Sequence, residues 1–389
     1  MIEGWRTYRI EELAEKVGIG PFGSSIKVET FVEDGIPIIS GSSLKNNKLE
    51  DGKYNFVTID HANKLKNANV FRDDVIFTHA GNIGSVVYIP NNSCYKRYIL
   101  SQRQFYLRCN KELLLPEFIA YFFKTYLGQK KLLANSSSVG VPSIARPVTY
   151  LRGLEVSIPM VAEQKRITSI LSSLDDKIEL NLQMNKTLEA IAQAIFKEWF
   201  VDFRFPGFDN ELVDGLPKGW RKGKLLELFQ LQRGYDLPAI SRIGGEFPVV
   251  AASGISSYHN EFKAYGPGIT TGRSGVIGNV YYIIGNFWPL NTSLFIKTFF
   301  QSTPLHAYHV LKSINLLNLN GGSAVPTLNR NDVHGLDQII PPKEIINRYE
   351  VLASSLFAKI FQNSKENQTL IQIRDTILPK LMTGKIRVA

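Results

Sequence analysis

Gly18-Ile19-Gly20-Pro21-Phe22-Gly23 spells GxGxxG, the glycine spacing with which a strand–turn–helix unit holds a dinucleotide pyrophosphate. That chemistry needs a strand before the motif and a helix after it. Here a helical pattern, Glu11-Glu12-Leu13-Ala14-Glu15, precedes it and Pro21 sits inside it, so the run reads as a loop. Glu163-Gln164-Lys165 has the ExK wording of some nuclease sites. It lacks a Pro-Asp partner at suitable spacing and reads as the solvated face of a helix. His306 and His309 stand three apart on a helical stretch and would face a common metal. Neither a nearby Cys nor a suitable carboxylate completes that site, so core or surface histidines are expected. Gly384-Lys385 lacks the upstream glycine of a phosphate-binding loop. Pro341-Pro342 follows Ile340 rather than the Asn or Asp of amino-methyltransferase motifs. No Ser/His/Asp or Cys/His set can be paired up. The expectation is a chain that binds and does no chemistry, with no metal of its own.

The elements that would position a binding surface come next. With 389 residues, a prior of ~150 residues per domain gives two or three domains. The chain is 44% hydrophobic, enough for more than one core. No apolar run approaches ~18 residues, so no membrane span is expected. The start, Met1-Ile2-Glu3-Gly4-Trp5-Arg6, has no secretory pattern. Cys94 and Cys109 cannot make a disulfide framework, which points to a reducing, cytoplasmic setting. The formal net charge is +10, which favours a polyanionic partner, nucleic acid first.

A long internal repeat organises the chain. Gly4-Trp5 and Gly219-Trp220 stand 215 apart. Gly81-Asn82-Ile83-Gly84-Ser85-Val86-Val87-Tyr88-Ile89 matches Gly275-Val276-Ile277-Gly278-Asn279-Val280-Tyr281-Tyr282-Ile283, 194 apart. Both read as a glycine-rich turn feeding a strand. Pro116 and Pro304 each open a helix. Each helix leads to a polar loop, 135–142 in the first half and 320–326 in the second. Ser172-Ser173-Leu174, Asn181, Asn185 and Leu188 recur as Ser354-Ser355-Leu356, Asn363, Asn367 and Leu370, all 182 apart.

These last residues lie on two long helices. Ile167, Leu171, Leu174, Ile178, Asn181, Asn185, Leu188, Ala192, Ile195 and Trp199 alternate spacings of four and three, a heptad seam. Tyr349, Ala353, Leu356, Ile360, Asn363, Asn367, Leu370, Arg374 and Ile377 repeat it, until Pro379 ends the second helix. Glu163 to Trp199 would span roughly 55 Å at ~1.5 Å per residue. An antiparallel pair is expected, with Asn181, Asn185, Asn363 and Asn367 fixing its register, because a buried amide needs a partner.

A tandem of basic α/β units on a helical spacer resembles the specificity subunit of type I restriction-modification enzymes, over essentially the whole chain. Ala162-Glu163-Gln164-Lys165-Arg166-Ile167, Leu174-Asp175-Asp176-Lys177-Ile178-Glu179 and Phe196-Lys197-Glu198-Trp199-Phe200 carry the resemblance. So do Leu216-Pro217-Lys218-Gly219-Trp220 and Leu378-Pro379-Lys380-Leu381-Met382-Thr383-Gly384. Pro342-Lys343-Glu344-Ile345-Ile346-Asn347-Arg348, at the start of the second helix, departs from the Ala-Glu-Gln-Lys-Arg wording. The resemblance implies an α+β fold with two related target recognition domains joined by two long antiparallel coiled-coil helices, an internal pseudo-two-fold repeat. The expected layout is recognition domain 1–157, spacer helix 158–200, linker 201–215, recognition domain 216–340 and spacer helix 341–389. It further implies that each domain reads half of a bipartite, asymmetric site on double-stranded DNA. Two methyltransferase subunits would dock on the helices, and restriction/translocase subunits would join them. S-adenosylmethionine, ATP and Mg would belong to those partners. The rival expectations are a coiled-coil scaffold without specific DNA reading, or a free-standing methyltransferase or nuclease.

DNA contact needs Lys/Arg, Ser/Thr/Asn and backbone amides in exposed loops for phosphate, and Arg/Lys or Asn/Gln for base edges. In the first unit the candidates are Ser24, Ser25, Lys27, Thr78, His79, Asn82, Arg97, Arg103 and Gln104. In the second, Thr270-Thr271-Gly272-Arg273-Ser274-Gly275 is the sharpest run, flanked by Tyr235, His259, Asn291 and Thr292.

Overall fold

The computed structural model describes residues 4–388, apart from 22, 24, 45, 46, 139, 210 and 323. The chain divides into two compact units, Met1–Ile178 with Gln368–Ala389, and Glu179–Asn367. Both are mixed α+β.

In the first unit the strands of the two four-stranded sheets are β1 (Ala14–Ile19), β2 (Ile36–Ile39), β3 (Phe56–Val57), β4 (Asn69–Phe71), β5 (Asp74–Thr78), β6 (Val86–Tyr88), β7 (Arg97–Leu100) and β8 (Gln104–Cys109). One sheet has the order β1-β8-β5-β6 and is antiparallel throughout. The other has the order β3-β2-β7-β4, with β2 and β7 parallel. Strand β5 is buried along its length, which explains its nearly continuous apolar wording. Its successive side chains serve opposite cores. Val75 and Phe77 join the core under the Pro116–Lys124 helix, and Ile76 joins Tyr98 and Tyr106 on the other face. Arg108 ties β8 to β5 by donating from Nε and Nη2 to the two Asp74 oxygens at 2.8 and 2.7 Å.

The second unit repeats this plan with β9 (Phe229–Arg233), β10 (Phe247–Ala251), β11 (Gly254–His259), β12 (Gly268–Gly272), β13 (Val280–Ile283), β14 (Trp288–Pro289) and β15 (Ser293–Phe299). The sheet β9-β15-β12-β13 has the connectivity of β1-β8-β5-β6. In the sheet β11-β10-β14, strands β10 and β14 are parallel, as β2 and β7 are. The Pro304–Ser313 helix takes the place of Pro116–Lys124, with Pro in the first turn of both.

The central helix runs Val161–Phe200 and the C-terminal helix Lys343–Leu381, and each contributes to both units. They lie antiparallel within each unit. In the second, Asn181 Nδ2 donates to Asn367 Oδ1 at 2.8 Å and to Glu366 Oε2 at 2.9 Å. Asn363 Nδ2 donates to Asn185 Oδ1 at 2.9 Å. Asn181, Asn363 and Asn367 are buried and Asn185 is half-buried. In the first unit Arg374 donates to Asp175 at 2.7 Å, and Asp175 also accepts from the Tyr121 hydroxyl at 2.6 Å.

Two expectations about these helices need correction. Pro379 does not end the C-terminal helix, which continues to Leu381. Leu381 and Met382 are buried in the first core, and that apolar anchorage holds the last turn past a residue that cannot donate. Glu163-Gln164-Lys165 is not a solvated face. Glu163 is buried against Arg387, whose Nε and Nη2 donate to its two oxygens at 2.8 and 2.9 Å. Gln164 is buried too, accepting from Leu115 N and donating to Leu113 O and Pro159 O, each at 2.9 Å. Only Lys165 of the three is exposed.

Among the described residues no helix is long and apolar enough to cross a membrane. Cys94 is exposed, Cys109 is buried and both are free thiols. His306 and His309 lie in the second core. His306 Nδ1 is 2.7 Å from the Ser302 hydroxyl, and His309 Nδ1 is 2.9 Å from both Leu305 O and the Tyr349 hydroxyl.

Replacing Asn181, Asn185, Asn363 and Asn367 together by Leu removes every member of the buried amide pairs. The melting temperature should rise, while Asn181→Leu alone should lower stability by about 1–3 kcal/mol, because its buried partners lose a donor. Thermal and urea unfolding of both variants checks this. Burial pushes the His306 imidazole down to about 3 and His309 down to about 4. The unfolded chain titrates near pH 6.5 and therefore binds more protons than the fold below that pH. Stability from this pair is fully present above pH 7 and is lost as pH falls from about 6.5 toward 4 for His309 and toward 3 for His306. His306→Gln should flatten that acid limb in unfolding curves measured across pH.

Candidate nucleic-acid interface

At one edge of the first unit, loops from both sheets are locked together by backbone hydrogen bonds. His79 follows β5 directly, and its amide donates to Arg103 O at 2.9 Å. His79 O accepts from Ile144 N at 2.8 Å, and Gly81 N donates to Pro142 O at 2.9 Å. Gly20 N, just after β1, donates to Gln104 O at 2.8 Å, and Ser101 N donates to Ile39 O at 3.0 Å. The turn between β5 and β6 has φ +84° at Gly81 and +88° at Gly84, values that favour glycine.

The second unit builds the same edge. Arg273 N donates to Thr292 O at 2.8 Å, and Leu328 N donates to Arg273 O at 2.8 Å. Gly275 N donates to Pro326 O at 2.9 Å, Gly234 N to Ser293 O at 3.0 Å and Leu290 N to Val250 O at 2.8 Å. Gly275 and Gly278 have φ +89° and +95°. Position by position, Gly20 answers to Gly234, His79 to Arg273, Arg103 to Thr292, and Pro142 to Pro326.

The GxGxxG run belongs to this edge. The pattern Glu11–Glu15 is not a helix that continues into the motif: one turn, Ile10–Leu13, gives way to β1, and β1 holds Gly18. A Cβ on Gly18 would lie 2.4 Å from the Tyr106 ring, and one on Gly20 would lie 2.0 Å from Ser101 O. The space the glycines leave is thus filled by the protein itself, and no helix of α type follows before Ile59 among the described residues. The arrangement does not fit a pyrophosphate cradle.

The expectation of exposed loops holds for part of the candidate set only. Ser25, Lys27, Asn82 and Arg103 are exposed, and His79, Tyr235, Arg273, Ser274, Asn291 and Thr292 are half-buried. Ser24 lies outside the described residues. Thr78, Gln104, His259, Thr270 and Thr271 are instead buried on strands. Three of them spend their polarity inside the fold, while Thr78 Oγ1 and Thr270 Oγ1 have no hydrogen-bond partner among the described residues. Thr271 Oγ1 donates to Asn279 O at 2.8 Å, Gln104 Oε1 accepts from Ser101 Oγ, and His259 Nδ1 is 3.1 Å from Ile243 N. Arg97 is on β7, donating to Asn69 Oδ1 at 2.6 Å and Asn63 Oδ1 at 2.9 Å. Its guanidinium is committed to the fold. Asn291 Nδ2 donates to Asp236 Oδ1 at 2.7 Å, and Asn82 Nδ2 to Ser85 Oγ at 3.3 Å. The His79 Nε2 is 3.1 Å from Gln102 O, and burial lowers the imidazole below its ordinary range.

The edge also includes residues outside the candidate set. Gln102 donates to Gly23 O, and the Ser40 and Ser42 hydroxyls are 2.7 Å apart. Asn320 Oδ1 accepts from Gly322 N at 3.0 Å and Thr327 N at 2.9 Å. The polar loops 135–142 and 320–326 were visible as repeat partners. Their backbone pairing to Gly81 and Gly275 had no sequence signal.

A profile of the type I restriction modification DNA specificity domain matches residues 2–190 and again 217–374. A type I restriction enzyme specificity subunit of Methanocaldococcus jannaschii is 25% identical over 99% of this chain and 94% of its own length. One from Haemophilus influenzae is 25% identical over 98% of this chain and 99% of its own. The crystal structure of a type I restriction-modification S subunit from M. genitalium has a similar fold, with TM-score 0.64 and 18% identity. It is matched over 98% of this chain and 96% of its own.

A Cβ on Gly234 would lie 2.2 Å from Leu290 O, whereas one on Gly285 would meet nothing within 4 Å. Gly234→Ala should therefore cost about 1–3 kcal/mol, and Gly285→Ala should be neutral or mildly stabilising. Chemical denaturation of both variants separates the close approach from a generic glycine effect.

Proposed function

Because the chain belongs to the type I restriction modification DNA specificity family, we propose that it is the DNA sequence-specificity subunit of a type I restriction-modification complex. Residues 1–157 and 216–340 act as its target recognition domains, each reading one half of a bipartite, asymmetric site. The repeated edge carries this reading. The same backbone lattice occurs in both units, while its side chains differ: His79 against Arg273, Arg103 against Thr292. A common scaffold with different side chains suits two domains that bind alike and select different bases.

Spacer segments 158–200 and 341–389, built on the helices Val161–Phe200 and Lys343–Leu381, together with linker 201–215, set the separation of the half-sites. The paired asparagines support this, since a polar seam holds one register. The helices also dock two methyltransferase subunits. Apolar side chains off the seam support that role: Ile170, Ile371 and Ile373 in the first unit, and Leu180, Ile191, Val351 and Phe361 in the second. Restriction/translocase subunits complete the assembly in the cytoplasm. The chain itself performs no catalysis; S-adenosylmethionine, ATP and Mg act in its partners.

Methylome sequencing of cells expressing this chain with its methyltransferase partner tests the proposal. One split motif, methylated on both strands, is expected. An uninterrupted motif, or no sequence preference, would favour a scaffold that does not read DNA.

A further inference from the structure

The two edges differ in where they hold their arginine. Residues 79 and 103 face each other across β5 and β8, one step past the last paired residues, Thr78 and Gln104. Residues 273 and 292 face each other in the same way past Gly272 and Ser293. Directly opposed residues of an antiparallel pair project from the same face, with Cβ atoms about 4.5–5.5 Å apart. The first unit has His79 opposite Arg103; the second has Arg273 opposite Thr292. The cation is present in both, on opposite members of the pair.

Both arginines are available. Arg103 is exposed, and its Nη1 lies 3.2 Å from where a Cβ on Gly81 would stand, so the guanidinium reaches over the glycine turn. Arg273 is half-buried at the start of the matching turn. Neither guanidinium has a hydrogen bond or ion pair among the described residues. Arg97, by contrast, is spent on Asn63 and Asn69. His79 supplies little competing charge at neutral pH, since partial burial against Phe105 pushes its imidazole below the ordinary range and the bond to the Gln102 carbonyl opposes this only in part.

We propose that Arg103 and Arg273 are one recognition element delivered from opposite strands of the same backbone pair, and that each specifies a guanine in its own half-site. A planar fork of unpaired donors matches guanine O6 and N7 bidentately. A rigid backbone pair beneath it fixes where the fork points. This rests on the proposed function and names the side chains that carry it.

The test uses the full chain with its methyltransferase partner. Split motifs are read by methylome sequencing and affinities by titration of cognate and singly substituted duplexes. Arg103→Ala should relax one guanine in one half-site only, and Arg273→Ala one guanine in the other. Each should weaken cognate binding roughly 5- to 150-fold. Arg103→Lys keeps the charge but loses the fork, and should relax the same position. The double variant His79→Arg with Arg103→Thr rebuilds in the first domain the arrangement of the second. It should recover at least about tenfold in affinity over Arg103→Thr alone and keep the guanine. Equal weakening on all sequences, with a salt slope smaller by about one, would make these phosphate contacts and overturn the assignment. An unchanged motif in the Ala or Lys variants, or no recovery in the double variant, would overturn it too. A wild-type complex that yields no split motif would instead sink the proposed function.

Discussion

A side chain at residue 20 would put its Cβ 2.0 Å from Ser101 O, and one at residue 234 would sit 2.2 Å from Leu290 O. Absence of that carbon lets the end of β1 meet the start of β8, and β9 meet β15. Once these strands close, Gly20 N reaches Gln104 O and Gly234 N reaches Ser293 O. The same strand pairs then present the carbonyls of Arg103 and Thr292 to the amides of His79 and Arg273. The side chains of this edge thereby sit on a backbone already held by these hydrogen bonds, so a ligand bound there need not order the loop first.

The spacer helices solve a different problem with polar groups. A wholly apolar heptad seam can slide by a turn at modest cost. Asn181 with Asn367 and Asn185 with Asn363 would lose their partners on sliding, and a buried amide without a partner is costly. In the first unit the seam residue Arg374 is answered by Asp175, which also holds Tyr121 of the Pro116–Lys124 helix. Glu189 plays the matching part in the second unit, accepting from Tyr308 of the Pro304–Ser313 helix at 2.6 Å. Each recognition unit is thus keyed to the central helix by a tyrosine–carboxylate bond.

Much of this plan was legible in the residues. The repeat at fixed offsets located β6 and β13, both proline-led helices and the asparagine pairs, because each depends on local pattern. Burial was less legible. Thr270-Thr271-Gly272 looks like a polar loop, yet β-branched threonines suit a strand, and β12 places them inside. Glu163 looked solvated because its partner, Arg387, is 224 residues away. Pro379 looked like a stop because helix rules are local, while the burial of Leu381 and Met382 is not. The cross-strand exchange of arginine between positions 103 and 273 needed register, which spacing alone did not supply.

Hydroxyl-radical footprinting of the assembled chain and methyltransferase partner, on a duplex carrying the split motif, tests the central claim most directly. Two protected patches separated by an unprotected or weakly protected gap are expected, each patch covering one half-site. One continuous patch confined to a single half-site, or protection indifferent to sequence, would contradict the account.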